Sequence, residues 1–320
     1  VTLARQGDVD GAELRRRVVA QLEAGDRAFV EAELAGADLS ELDLRGCDLT
    51  DAVLLGANLS RAQLDGATLD GATLDECAVE GCSFAGASMR ATSMVSARGA
   101  GCVFDDAKAP ELDAEGASLP GSSWLRAVID RAELMRCDLS GARFLDASVE
   151  EADFSEARLD DADLSRCVGA SAVLDRVHAH RIRLDEARLE RVSITEHADL
   201  SGASAVRLFA PGARWNDARL HKADLSLSVL TRADFTDALL VECTISGCDL
   251  RGATFRRARL TSAVALRADA FEACFEDADL SFADLRAASL FAAEFWRATL
   301  EHTRLDTADL RRSKLQGTVR

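Results

Sequence analysis

The chain has 320 residues, 48% of them hydrophobic and only 5% aromatic, with a formal net charge of −17. That much apolar material excludes an intrinsically disordered chain. No run is apolar over the twenty or so residues that a helical membrane span needs, and no signal peptide is visible, so a cytoplasmic protein without a membrane is expected.

In chain order, the first element is an amphipathic helix over residues 11–24. Asp10 and Glu13 have the spacing of a capping box, Leu14, Val18 and Leu22 line one face, and Gly25 ends it. Residues 1–30 therefore read as a capping helix and its lead-in, a lid over the first coil of the repeats. The start at Val1 rather than Met suggests a processed chain or an excised piece.

From Leu34, a large apolar residue falls on nearly every fifth position as far as Ile194, with misses at Gly99, Ala109, Ala114, Gly169 and Ala179. The frame then slips by one residue, at 195–199. From Leu200 the same step runs to Leu315, missing at Ala205, Ala210, Ala265 and Ala270. Of these 57 pentapeptides, 38 carry Ala and 8 carry Cys two residues before the central position. A large and a small inward residue every five positions fit neither the helical period nor simple strand alternation. They fit a chain that turns a corner every five residues, as one continuous unit over 31–320 with a one-residue bulge at the slip.

Aromatic residues set the number of corners per turn. Phe84, Phe104, Trp124 and Phe144 are spaced by twenty, and so are Trp215, Phe235, Phe255, Phe275 and Phe295. Side chains twenty apart stack if four pentapeptides make one coil, and stacked rings contribute beyond the area they bury. Subtracting the slip puts the second ladder on the face opposite the first. About fourteen coils at ~4.8 Å each give a rod ~70 Å long.

The phrase Ala37-Asp38-Leu39, repeated at Ala162-Asp163-Leu164, Ala198-Asp199-Leu200, Ala223-Asp224-Leu225 and Ala283-Asp284-Leu285, resembles the pentapeptide repeat family over residues 31–318. The resemblance implies an all-β solenoid, a right-handed quadrilateral parallel β-helix, here with an N-terminal α-helical cap. Some bacterial members resemble duplex DNA in shape and charge and act on DNA gyrase or topoisomerase IV, protecting them from antibiotics or toxins. The present sequence differs in its length, in lacking a C-terminal dimerisation helix and in its near-neutral second half. A short helix running straight into the first repeats is also similar to pentapeptide segments attached to type VI secretion accessory proteins. In that reading the rod is a binding arm of a larger chain. Neither resemblance implies catalysis or direct nucleic-acid binding.

Chemistry-bearing residues obey the repeat. Eight of the nine cysteines occupy the small inward slot and replace Ala as compact hydrophobes, Cys274 being the exception. His178 and His180 lack a third ligand and suggest solvated surface, and no phosphate loop, nucleophile elbow or HExxH occurs, so no catalytic residue, metal or cofactor is assigned. Charge is unevenly spread: residues 1–160 hold 31 acidic and 15 basic residues, against 24 and 23 in residues 161–320. Asp65, Asp70, Asp75 and Glu80 fall on four successive corners with Glu76 beside them, and Asp105 and Asp106 lie two coils on. These seven are the candidate DNA-like surface, with solubility as the plain alternative. A second candidate is a protein-binding patch of outward aromatics, Phe271, Phe282, Phe291 and Trp296. The misses at Ala265 and Ala270 suggest a local bulge at Phe271. With Leu310 and Leu315 in an open last coil, this end is where a homodimer or another protein would dock. The resulting reading is a non-enzymatic interaction rod, with a gyrase-type topoisomerase or a secretion-system component as partner.

Overall fold

A computed structural model of the protein describes residues 10–319. The helix α1 spans Gly11–Glu23. Asp10 caps it by accepting from the Ala12 amide at 3.2 Å, while Glu13 pairs with Arg16 at 2.6 Å. The expected reciprocal capping box is therefore not formed. Gly25, at φ 78°, ends the helix: its amide reaches the Leu22 carbonyl at 2.9 Å and the Asp26 amide reaches Gln21 at 3.1 Å. This is the Schellman arrangement, which satisfies two end carbonyls. Leu14 and Val18 are buried.

The remainder folds as two compact units, one ending at Ala157 and the other beginning at Arg158. Both are built the same way. Parallel bridges join residues twenty apart, such as Asp38 to Asn58 in the first unit and Asp234 to Thr254 in the second. A twenty-residue step over five-residue phrases gives four corners per turn of chain. Each side is so short that it usually contributes one bridged residue. Among the described residues, only Val168–Ala170 (β1) and Arg188–Glu190 (β2), which pair in parallel, extend to three.

The corners explain the polar half of the phrase. At most corners the carbonyl of the central residue accepts the amide three residues on, as from Ala37 to Leu34 at 3.0 Å, and the third turn residue has positive φ. This is the dihedral demand of a type II turn. Gly36 meets it without strain, but Glu41 (φ 61°) and Asp51 (φ 54°) adopt it at ~1 kcal/mol or more each. Hydrogen bonds to the next turn offset the cost, as from the Glu41 amide to the Ser60 carbonyl at 2.9 Å. All three prolines, Pro110, Pro120 and Pro211, stand just before a positive-φ residue, where fixed φ suits the turn.

Inside, large and small residues interlock, and several breaks in the period are exchanges of volume. Leu112 fills the small slot between Ala109 and Ala114, Val177 and Ile182 flank Ala179, and Leu208 lies between Ala205 and Ala210. All are buried. Moving bulk from one inward slot to its neighbour keeps the core filled. Gly99 is different, because a Cβ there would lie 2.3 Å from the Glu80 amide nitrogen. Both aromatic ladders are stacked: Phe84–Phe104 at 4.9 Å in the first unit, and Phe235–Phe255–Phe275–Phe295 at 4.9 to 5.0 Å in the second.

The slip lies in the second unit. Glu196 and His197 both take positive φ, so the inserted residue widens one corner, and the bridges step by twenty-one from His178–Asp199 to Ser193–Arg214 before returning to twenty at Asp199–Arg219. At Phe271, by contrast, there is no bulge. Asp249, Asp269 and Ser289 bridge at the regular step and Ala270 faces inward, buried. Phe271 is simply an aromatic side chain on a regular corner.

Candidate interaction surfaces

Asp65, Asp70, Asp75 and Glu80 occupy four successive corners of one turn, each just before a residue of positive φ. Their carboxylates are engaged with the next turn. Asp65 accepts the Ser83 hydroxyl at 2.6 Å; Asp70 accepts the Ser88 hydroxyl at 2.7 Å and the Arg90 amide at 2.9 Å. Asp75 accepts the Ser93 hydroxyl and, at 3.1 Å, the Val95 amide; Glu80 accepts the Ala100 amide at 2.7 Å. Asp105 repeats the pattern with Ser123 at 2.6 Å and Leu125 at 3.0 Å. Asp106 instead forms a two-pronged pair with Arg126, at 2.7 and 2.6 Å, which lowers its pKa. Glu76 is exposed.

Asp70, Asp75, Glu80 and Asp105 therefore carry charge and also hold a corner amide of the next turn, while Asp65 holds a hydroxyl there. The signal was readable: Asp at the first corner position is matched eighteen residues later by Ser at 65/83, 70/88, 75/93, 105/123 and 130/148. Asp before a central residue works locally instead, as Asp38 accepts the Ser40 amide at 3.2 Å and its hydroxyl at 2.6 Å.

In the second unit the four outward aromatics do not form one patch. Phe271 and Phe291 share a corner, with parallel rings 5.7 Å apart, both half-buried. Arg311 and Arg312 lie over the Phe291 ring at 5.7 and 5.4 Å. Trp296 occupies the next corner, 46% exposed, with Arg297 5.1 Å from its ring. Phe282 is on the third. It is 56% exposed, sits at φ 61° and contacts the His302 ring at 5.0 Å. Leu305, Leu310 and Leu315 in the last turn are half-buried, whereas Leu300 is buried.

His180 is not plain solvated surface: it lies between two carboxylates, with Nδ1 2.9 Å from Asp160 and Nε2 3.4 Å from Asp199. Among the described residues no group of three His, Cys, Asp or Glu is arranged to hold a metal, and no helix is long and apolar enough to cross a membrane. Cys77, Cys102, Cys137 and Cys248 are buried thiols with pKa values pushed up to about 12 by burial. Their sulfurs donate to carbonyls 23 residues earlier, as from Cys137 to Ala114 at 2.8 Å.

The chain is similar to several solved structures. HetL, a pentapeptide repeat protein involved in heterocyst differentiation regulation from the cyanobacterium Nostoc sp. strain PCC 7120, is 24% identical over 94% of each chain, with a TM-score of 0.26. QnrB1, a plasmid-mediated fluoroquinolone resistance protein, is 15% identical over 72% of this chain and 90% of its own, with a TM-score of 0.24. Rfr23, a pentapeptide repeat protein from the cyanobacterium Cyanothece 51142, is 23% identical over 39% of this chain and 65% of its own, with a TM-score of 0.12. No curated protein sequence matches. Pentapeptide repeats, eight copies, are matched over residues 32–71, 132–168, 152–191, 198–237 and 238–277. These segments make up more than half of the sequence, and the chain belongs to the pentapeptide repeat family.

Proposed function

We propose that the chain is a non-enzymatic, cytoplasmic protein-binding scaffold that meets its partner through its corners, in the manner of an arm of a type VI secretion accessory protein. The supporting observation is the division between inside and outside. Inward slots hold buried Ala, Leu, Cys and aromatic side chains, while carboxylates and guanidinia stand in columns on the corners. Such a surface offers a partner repeated charge and little apolar anchorage.

A second reading, a DNA-like ligand of a gyrase-type topoisomerase that protects against topoisomerase poisons, is favoured by the acidic ring at Asp65, Asp70, Asp75 and Glu80. The two readings separate in one binding experiment. Purified protein is titrated against gyrase and against secretion-system components, with the parent chain and with a variant carrying Asp65→Asn, Asp70→Asn, Asp75→Asn and Glu80→Gln. The amides keep an acceptor for the next turn while removing four charges. DNA-like action predicts gyrase binding that weakens with this variant and with added salt. Scaffold action predicts a secretion-component complex that tolerates the variant, because its binding is spread over the charged columns of both units rather than over this one ring. Turnover of a substrate by the protein alone would overturn both readings.

A further inference from the structure

Within each unit, later turns offer two kinds of carbonyl that accept amides from the turn before: that of the residue preceding a central position and that of the residue after it. Val53 and Leu55, for example, accept from Leu34 and Gly36 at 2.8 and 2.9 Å. In the first turn the corresponding carbonyls belong to Ala28, Asp38, Ser40, Asp43 and Arg45, among others. Side chains take the place of the absent amides. The Arg15 guanidinium on α1 donates to Asp38 and Ser40, both at 2.9 Å. Arg27 donates to Arg45 at 2.6 Å and Asp43 at 3.4 Å, and Gln21 to Ala28 at 2.8 Å. Each guanidinium thus occupies the carbonyl pair that one side of a preceding turn would fill. Buried Leu14 and Val18 stand beside them on α1, and the helix start is so close that a Cβ on Gly11 would lie 2.5 Å from the Gly36 carbonyl oxygen.

We propose that Arg15, Gln21 and Arg27 form an end stop, holding the edge of the first turn closed against strand addition by a second copy of this chain. An open edge of parallel carbonyls is a ready pairing surface. One terminal nitrogen, Nη1, of each guanidinium donates to two of them with charge-assisted bonds that a neutral amide does not easily displace. The inference goes beyond the scaffold reading and does not depend on it.

The test compares the parent with Arg15→Ala plus Arg27→Ala by sedimentation velocity over a concentration series, with a circular-dichroism melt as the folding control. The concentration of half-association should fall by roughly tenfold or more in the double variant. Adding Asp43→Pro should return association to the parental level. The Asp43 amide donates to no backbone carbonyl among the described residues, so proline removes no backbone bond there but breaks a ladder on that side. If the double variant does not melt cooperatively, Arg27→Ala alone, which leaves α1 intact, carries the comparison. Identical sedimentation of parent and folded variants overturns the proposal, as does association that survives Asp43→Pro.

Discussion

The two buried tryptophans provide a natural comparison from which a stability change can be worked out. Trp124 and Trp215 are both fully buried, and each stacks on the Phe twenty residues later in the same way, with centroids 5.7 Å apart and planes at 12° and 11°. Trp124 Nε1 donates to the Ser122 hydroxyl at 2.8 Å, whereas Trp215 Nε1 has no partner, because Ala213 stands where the first unit has Ser122. Ala213→Ser should place an acceptor two residues before the indole. The new hydroxyl would not be orphaned, since hydroxyls in this slot find a carbonyl below, as Ser228 does with Ala205 at 2.8 Å. A net hydrogen bond contributes about 1 kcal/mol, so Ala213→Ser should stabilise by about that much, or raise Tm by roughly 2–4 °C in a unit of this size. Ser122→Ala should cost ~1–3 kcal/mol, because it leaves a buried N–H unpaired. Urea denaturation monitored by tryptophan fluorescence and circular dichroism measures both. A neutral Ser122→Ala together with a destabilising Ala213→Ser would refute the reasoning.

Other expectations concern the core, the thiols and acid. Leu139→Asp or Leu225→Asp should abolish cooperative melting, since each replaces a fully buried side chain with an unpaired charge, and an unchanged melt in both would contradict the packing described. Cys77, Cys102, Cys137 and Cys248 should resist alkylation in the native state at pH 8 and react at once in denaturant, because burial keeps them protonated; rapid native labelling of Cys137 would count against this. Asp106, Asp161, Asp237, Asp249 and Asp284 have folded-state pKa values lowered first by hydrogen bonds from Arg126, Arg181, Arg257, Arg251 and Arg286, and Asp309 is lowered to about 2 by Arg311. A depressed carboxylate stabilises above its unfolded pKa and loses that contribution as pH falls through the folded value. Tm should therefore decline between roughly pH 4 and pH 2, and a rise over that interval would be inconsistent with these pairs.

The interior was legible because it obeys a strict rule. Five-residue steps locate the buried residues from Leu34 to Leu300, and twenty-residue spacing locates the stacked rings, since both reflect steric repeats that the sequence states directly. Apparent defects were less legible. Ala109 and Ala114 look like gaps until Leu112 is seen to fill the volume, and Ala270 suggests a bulge where none occurs. The edge contacts were not legible. Nothing in Arg15 or Arg27 alone distinguishes a carbonyl cap from an ordinary solvated arginine, because the acceptors lie 16 to 25 residues away and belong to the backbone.

The same distinction governs what the corners can tell about function. A corner residue must solve a local problem, either adopting positive φ or holding an amide of the next turn, before its charge can serve a partner. Asp70 does so through one carboxylate oxygen, Oδ1, which accepts both bonds from the next turn. Reversing the charge at such a site would remove the acceptor along with the charge, so loss of binding could not be separated from loss of the corner. Asp→Asn retains a carbonyl oxygen of the same reach and removes only the charge, and the hydroxyl of Ser88 does not require an anion. At Asp106 the reverse holds, because Arg126 needs both oxygens for its fork, and Asn would break the pair. Charge removal that spares the fold is therefore confined to carboxylates held by hydroxyls and amides, and Asp65, Asp70, Asp75, Glu80 and Asp105 meet that condition while Asp106 does not.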